Sequence, residues 1–334
     1  MSADDELEAG WKELQQGRAD VARKHAEAAL AEAQSADALT LLAAALAHEG
    51  EIEQAIKTAE RGAKLDKEAF EPVFLLAELQ AGVGDIEPAL DAVGKAVDRA
   101  EEEDEFISAI LLKAELELAI GDDDAATQTL GELPPSNVPL HDLESELRAA
   151  AMMFEIGEID ESKARLERAR AAEPENADTV HLLGMIAESE GDEDKQRECF
   201  LRTRELDLKA PASDYSVEKM EKAAERALEE LPEKARKLLA NVPIMIDDYP
   251  SEELVRDGLD PRLLGVFDGV PFPEQSNAAA PPHLEHIVLF KRNIERDAEG
   301  DEAIIEDEIR TTLLHETAHF FGLDEDDLEA LGLD

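Results

Sequence analysis

The chain has 334 residues, 43% of them hydrophobic and 34% charged, which is enough length for two domains with separate cores. Its 82 Asp and Glu against 33 Lys and Arg leave a formal charge of −49, which repels nucleic acid and anionic membrane surfaces alike. The single cysteine excludes an internal disulfide and a cysteine metal cage.

The first ten residues, MSADDELEAG, carry neither the basic nor the apolar part of a secretory signal. No stretch approaches the roughly 18 consecutive apolar residues of a membrane span. Together with the cysteine usage, these features predict a cytoplasmic protein with no membrane partner.

The first two hundred residues repeat. Glycines at 17, 50, 84, 121, 157 and 191 are spaced by 33, 34, 37, 36 and 34, and each separates two apolar-periodic segments. Five residues after each glycine stand Ala22, Ala55, Ala89, Ala126, Ser162 and Gln196. Small side chains there let two helices approach closely, and the glycine makes the turn between them, where positive φ is free of strain. The segment ELPPSNVP, 132–139, stretches one spacing.

A period near 34 with helix, turn and helix in each unit predicts a helical solenoid. The repeats resemble tetratricopeptide repeats. GWKELQQGRADVARKHAEAAL carries Trp11 and Leu14 of that pattern, and small residues recur at Ala29, Gly62, Ala96 and Ala169. The resemblance implies about six units over residues 1–210 and a scaffold that binds protein or peptide partners on its concave face. With few lysines to clamp an acidic peptide end, the fitting partner is basic or apolar.

The period stops near Leu206. LKAPASDYS, 208–216, reads as a linker, with Ser216 capping the helix VEKMEKAAERALEEL. A second domain of different composition follows over 211–334. Val242–Ile246 reads as a short strand, LLGVFDGVPF as two turn-like breaks, SNAAAPPH as a loop, and HIVLF, His286–Phe290, as a strand. These elements predict a small α+β domain ending in a helix from about Asp301 to Phe321.

Along that last helix Ile305, Ile309, Thr312, His315 and His319 follow steps of +4, +3, +3 and +4. The pattern predicts one inward face that carries both imidazoles. A rise of about 6 Å between them suits two ligands of one metal ion. HETAH is an H-E-x-x-H motif, so Glu316 is the expected base beside a zinc-bound water. Gly322 is a natural helix stop, after which LDEDD can turn a carboxylate back as third ligand. Glu325 is the candidate, with Asp324 and Asp326 as its neighbours and alternatives. His283 and His286 form a second possible pair, but straddling a loop and a strand start they read as cleft lining or surface. Cys199, His25, His48, His141 and His181 read as packing or surface in the repeats.

From about Ser216 onward the chain resembles the small bacterial zincin-like metallopeptidases, sometimes called minimal gluzincins. The resemblance rests on ALEELPEKARKLLANVPIMIDDYP, LLGVFDGVPF, HIVLFKRNIE and EIRTTLLHETAHFFGLDEDDLEALG, in that order. It implies a Zn2+-dependent hydrolase fold in which Ile287, Val288, Leu289 and Phe290 form the strand lining the cleft, pairing with an extended substrate. The chain departs from the family at Phe267, where many members have Tyr, at Phe320, where members often carry a second histidine, and in having no methionine after Gly322. Two functions remain open: a zinc metallopeptidase whose repeats recruit protein, and an adaptor that keeps the zincin module for structure.

Overall fold

Each repeat glycine closes a helix in the same way. At Gly50, with φ of +79°, the Gly50 N–H bonds the Ala47 carbonyl and the Glu51 N–H reaches back to Leu46, both at 2.9 Å. This is the Schellman arrangement, and it requires a left-handed residue at the glycine position. The same reach-back bond recurs from Arg18, Asp85, Asp122, Glu158 and Asp192, each following a glycine with φ between +72° and +83°. The 34-residue period is thus the period of one helix stop.

The computed structural model describes residues 2–211, 215–230, 236, 242–268, 286–298 and 300–321. The chain divides into two compact units, Met1–Pro174 and Glu175–Asp334. The first holds helical pairs α1 (Ala3–Gln15) with α2 (Ala19–Glu32), α3 (Ala36–His48) with α4 (Ile52–Leu65), and α5 (Glu71–Gly82) with α6 (Ile86–Arg99). It continues with α7 (Glu103–Ala119) and α8 (Asp123–Leu130), then α9 (Leu143–Glu155) and α10 (Ile159–Ala172). Ala22, Ala55, Ala89, Ala126 and Ser162 are fully buried, which confirms that their smallness serves close packing. Where serine replaces alanine, the Ser162 hydroxyl donates to the Ala150 carbonyl at 2.7 Å, so the buried oxygen is satisfied. ELPPSNVP shortens α8 and inserts a loop whose Leu133 and Leu140 complete the local core. Buried Glu146 anchors that loop through the Leu140 N–H at 2.8 Å, and pairs with Arg165 at 3.1 Å and with Arg168.

The second unit begins with one more helical pair, α11 (Ala177–Ser189) and α12 (Glu193–Asp207), followed by α13 (Val217–Glu230). As the sequence suggests, the Ser216 hydroxyl caps α13, accepting from the Lys219 N–H at 3.2 Å. Next come β1 (Ile244–Asp247), α14 (Glu252–Arg256), β2 (Gly265–Asp268), β3 (His286–Phe290), α15 (Lys291–Asp297) and α16 (Glu302–Phe321). The sheet is mixed, in the order β1-β3-β2, with β1 parallel and β2 antiparallel to the central strand. Its core joins Met220, Ala223 and Ala224 of α13 to Ile287 and Leu289 of β3, Ile294 of α15, and Ile305, Ile309 and Leu313 of α16. The fold is therefore a tetratricopeptide-like helical region followed by a small α+β domain.

β2 has no sequence-level signal. Four residues beginning at a glycine show no alternation long enough to read, and pairing with β3 alone makes them a strand. Gly265 itself is required by a close approach: a Cβ there would stand 2.6 Å from Thr312 Cγ2 of α16.

Candidate active site

Helix α16 runs as far as Phe321, so His315, Glu316 and His319 all lie on it. Its inward face differs from the one the spacing predicts. Ile305, Ile309, Thr312, Leu313 and Glu316 are buried, whereas His315 is exposed. The reason is helical phase: at about 100° per residue, Glu316 falls roughly 20° from Ile305 and His315 roughly 80° away. Steps of +3 and +3 in succession let the histidine drift off the face that Glu316 occupies. His315 thus offers its imidazole to the outside, while Glu316, 8% exposed, points back at the sheet.

Glu316 Oε2 accepts a hydrogen bond from the Phe267 N–H at 2.7 Å. The register explains why that N–H is available. The Phe290 N–H donates to the Leu264 carbonyl at 2.7 Å, which marks Leu264 and Phe290 as a bonded pair. In an antiparallel ladder the bonded pairs alternate, so the main-chain groups of Gly265 and Phe267 point away from β3. The glutamate of the motif therefore caps an outward amide of strand β2. Phe267 was noted in the sequence only for lacking a phenol; its backbone is what matters here.

Ile287, Val288, Leu289 and Phe290 do not lie at an edge. Their strand is central, bonded to β1 on one side and β2 on the other, and all four side chains are buried. The expectation that they pair with a substrate strand is thus corrected, because both their main-chain edges are already used. Ile287 and Leu289 form the floor on which α16 rests. His286 pairs with Asp268 in the register at the start of β3. His283, Asp324, Glu325 and Asp326 lie outside the described residues, as does the side chain of His319.

The described part of the motif fits a zinc site. His315 is solvent-accessible and His319 follows one turn later on the same helix, while the expected carboxylate ligand, Glu325, lies outside the described residues. Two imidazoles and a carboxylate are the donor set zinc prefers when one position stays open. Among the described residues no group of three potential ligands converges.

A cleft of about 640 Å³ in the second unit lies elsewhere. It is lined by Asp207, Tyr215, Tyr249, Arg292, Arg296 and Ile305 among others. Ile305 precedes Glu316 by eleven residues, or roughly 16 Å of helix. Its cations are already matched by Asp207, Glu295 and Glu302, so it is an ion-pair cluster.

Residues 239–333 match the family model described as zincin-like metallopeptidase. The C-terminal domain is zincin-like. Among solved structures, Pseudomonas aeruginosa pilF is similar in fold at 18% identity, with a TM-score of 0.53 over 67% of this chain and 97% of that one. The Cut9–Hcn1 hetero-tetramer of the APC/C gives 13% identity and a TM-score of 0.50 over 63% of this chain and 41% of that one. The TPR protein YrrB gives 15% identity and a TM-score of 0.44 over 52% of this chain and 88% of that one. No curated protein matches the chain. Among the described residues no helix is long and apolar enough to cross a membrane.

Proposed function

We propose that this protein is a zinc-dependent peptidase, with a repeat region over 1–210 that binds protein or peptide and a catalytic region over 211–334. The observation that carries the reading is Glu316. A buried carboxylate beside an exposed motif histidine, in a domain matching the zincin-like family, is what a general base needs and what a surface helix does not. In this reading His315, His319 and Glu325 hold the ion. Bound zinc supplies Lewis acidity toward an amide carbonyl. Glu316 takes a proton from the attacking water on a carboxylate oxygen and returns it to the departing amine nitrogen. The partner of the repeats is a basic or apolar peptide, in keeping with the formal charge of −49.

A second reading has its own support. The hydrogen bond from the Phe267 N–H gives Glu316 a structural task that needs no chemistry, which suits an adaptor that keeps the zincin-like domain as a module.

One experiment separates them. Full-length protein prepared with zinc is assayed for metal content and for digestion of a broad peptide library, beside Glu316→Gln and His315→Ala. The peptidase reading expects one zinc per chain, loss of zinc in His315→Ala, and retained zinc with hydrolysis reduced about 100-fold or more in Glu316→Gln. Equal, chelator-insensitive digestion by all three proteins refutes it.

A further inference from the structure

The sixth helical pair breaks the repeat pattern in one respect. Where earlier units bury a small residue, it carries Gln196, which donates to the Gly258 carbonyl at 3.4 Å. This is one of a series of bonds from α11 and α12 onto the segment between β1 and β2, all within the second unit. Arg197 donates to the Arg256 carbonyl at 2.8 Å and Arg204 to the Pro250 carbonyl at 2.6 Å, while the Tyr249 hydroxyl donates to the Asp207 carbonyl at 2.9 Å. The His181 imidazole meets both carboxylate oxygens of Asp260, at 2.8 and 3.0 Å.

The centre of this series is Asp207, 7% exposed at the end of α12. Arg262 grips its carboxylate through Nε and Nη2, both at 3.1 Å, and reaches Asp178 of α11 through Nη1 at 2.7 Å. Arg296 of α15 shares the same carboxylate at 3.0 Å and holds Asn293 Oδ1 at 3.1 Å. Fully buried Asn293 in turn donates to the Pro261 and Leu263 carbonyls at 2.8 and 2.7 Å. The main chain of 260–263 is therefore clamped from both sides immediately before β2 begins. Leu264 then bonds Phe290, and three residues beyond it the Phe267 N–H meets Glu316.

We propose that Asp207, carried by the last helical pair, is a positioning residue for the candidate active site: through Arg262 it fixes the start of β2, and so the Phe267 amide that holds Glu316. The strand needs such a clamp. Among the described residues β2 has four residues and pairs with β3 on one side, too little ladder to define its own place. The two-point Arg–carboxylate contact fixes orientation as well as distance, which a single charge contact would not. The sixth pair then serves the catalytic region as well as closing the repeat region. Only the consequence for catalysis rests on the peptidase reading; the positioning itself is testable without metal or substrate.

The test is hydrogen exchange at single amides in the full-length chain, comparing wild type with Asp207→Asn. Exchange at Phe267 should accelerate by about tenfold or more, while the amides of Ile287 and Leu289 in the central strand change less than about twofold. Glu316→Ala, which removes the acceptor directly, should reproduce the Phe267 effect. If Asp207→Asn does not fold, Arg262→Lys keeps the charge but loses the two-point grip and reads the same quantity. Unchanged exchange at Phe267, or an equal rise at Phe267 and in β3, overturns the proposal, the first by showing no link and the second by showing only general loss of stability.

Discussion

The two kinds of helical pair in this chain are held by different physics. Between α3 and α4 the contact is alanine on alanine, with Ala43, Ala55 and Ala59 fully buried and no buried charge. The pair α11 and α12 keeps that contact internally, around Leu183, Ile186 and Phe200, but meets the zincin-like domain through Asp207, Arg262, Arg296, His181 and Asp260. Apolar contacts between helices tolerate changes of partner of similar size. A buried carboxylate shared by two arginines does not, because removing one member strands the others away from water. The first unit uses the second kind at one place, where buried Glu146 of α9 meets Arg165 and Arg168 of α10, whereas the joint around Asp207 rests on it.

Truncation should break this comparison most severely. A fragment starting at Glu175 keeps the sixth pair, whereas one starting at Ser213 loses Asp178 and Asp207, the partners of Arg262, and His181, the partner of Asp260. The shorter fragment should unfold at much lower denaturant, or not fold at all, when the two are followed by circular dichroism. Equal midpoints would show that the polar joint contributes nothing to the domain.

Single substitutions sharpen it. Asp207→Ala should cost about 3 kcal/mol in the second unit, since it takes their shared carboxylate from part-buried Arg262 and Arg296. Ile110→Ala, at a fully buried position of the first unit, should cost about 2–5 kcal/mol there. Trp11, the single tryptophan, reports the first unit by fluorescence, so its transition should move with Ile110→Ala and stay in place with Asp207→Ala.

Next in size is the helix stop. Gly50→Ala forces a Cβ into the left-handed region at φ +79° with no neighbour within 4 Å to clash with, so its cost is conformational alone, about 1–2 kcal/mol by thermal melting.

Acid should act on the joint before it acts on the alanine contacts. Burial pushes the Asp260 carboxyl up, but the His181 hydrogen bond, with the nearby charges of His181 and Arg262, holds it below its ordinary 3.8. A group that titrates lower folded than unfolded contributes its full stability above the unfolded value and loses it as pH falls through the folded one. The second unit should therefore weaken as pH drops below about 4, and Asp260→Asn should flatten that dependence. A pH profile unchanged by the substitution would remove Asp260 from the account.

The smallest effect belongs to the surface. Lys57→Ala breaks an i,i+4 pair with Glu53 in which both side chains are largely exposed, and should change stability by no more than about 0.5 kcal/mol.

How much of this could be read beforehand follows the same division. The glycine period was legible because one local event, a left-handed helix stop, is written the same way six times, five of them with a small residue five positions on. The capping Ser216, the strand at His286–Phe290 and the helix Glu302–Phe321 were legible for similar reasons, each being signalled by neighbours in sequence. Helix α15 and strand β2 were not. Nothing near Gly265 distinguishes a strand from a turn until β3 lies beside it.

The motif shows where sequence stops. H-E-x-x-H put two histidines and a glutamate on one helix, and that much holds without any tertiary contact, because it follows from 3.6 residues per turn. Which of the three faces the protein interior is a different matter. It depended on the phase set by Ile305, Ile309 and Leu313 against the sheet, and that phase buried Glu316 and exposed His315. Strand order decided the rest: placing β3 in the middle closed both its edges and left the outward amide of Phe267 for the glutamate. Local chemistry fixed the period, the helix stops and the motif, since each involves residues within a turn or two of one another. The bond between Glu316 and the Phe267 amide and the grip of Arg262 on Asp207 join residues 49 and 55 positions apart, a separation across which only the folded chain brings groups together.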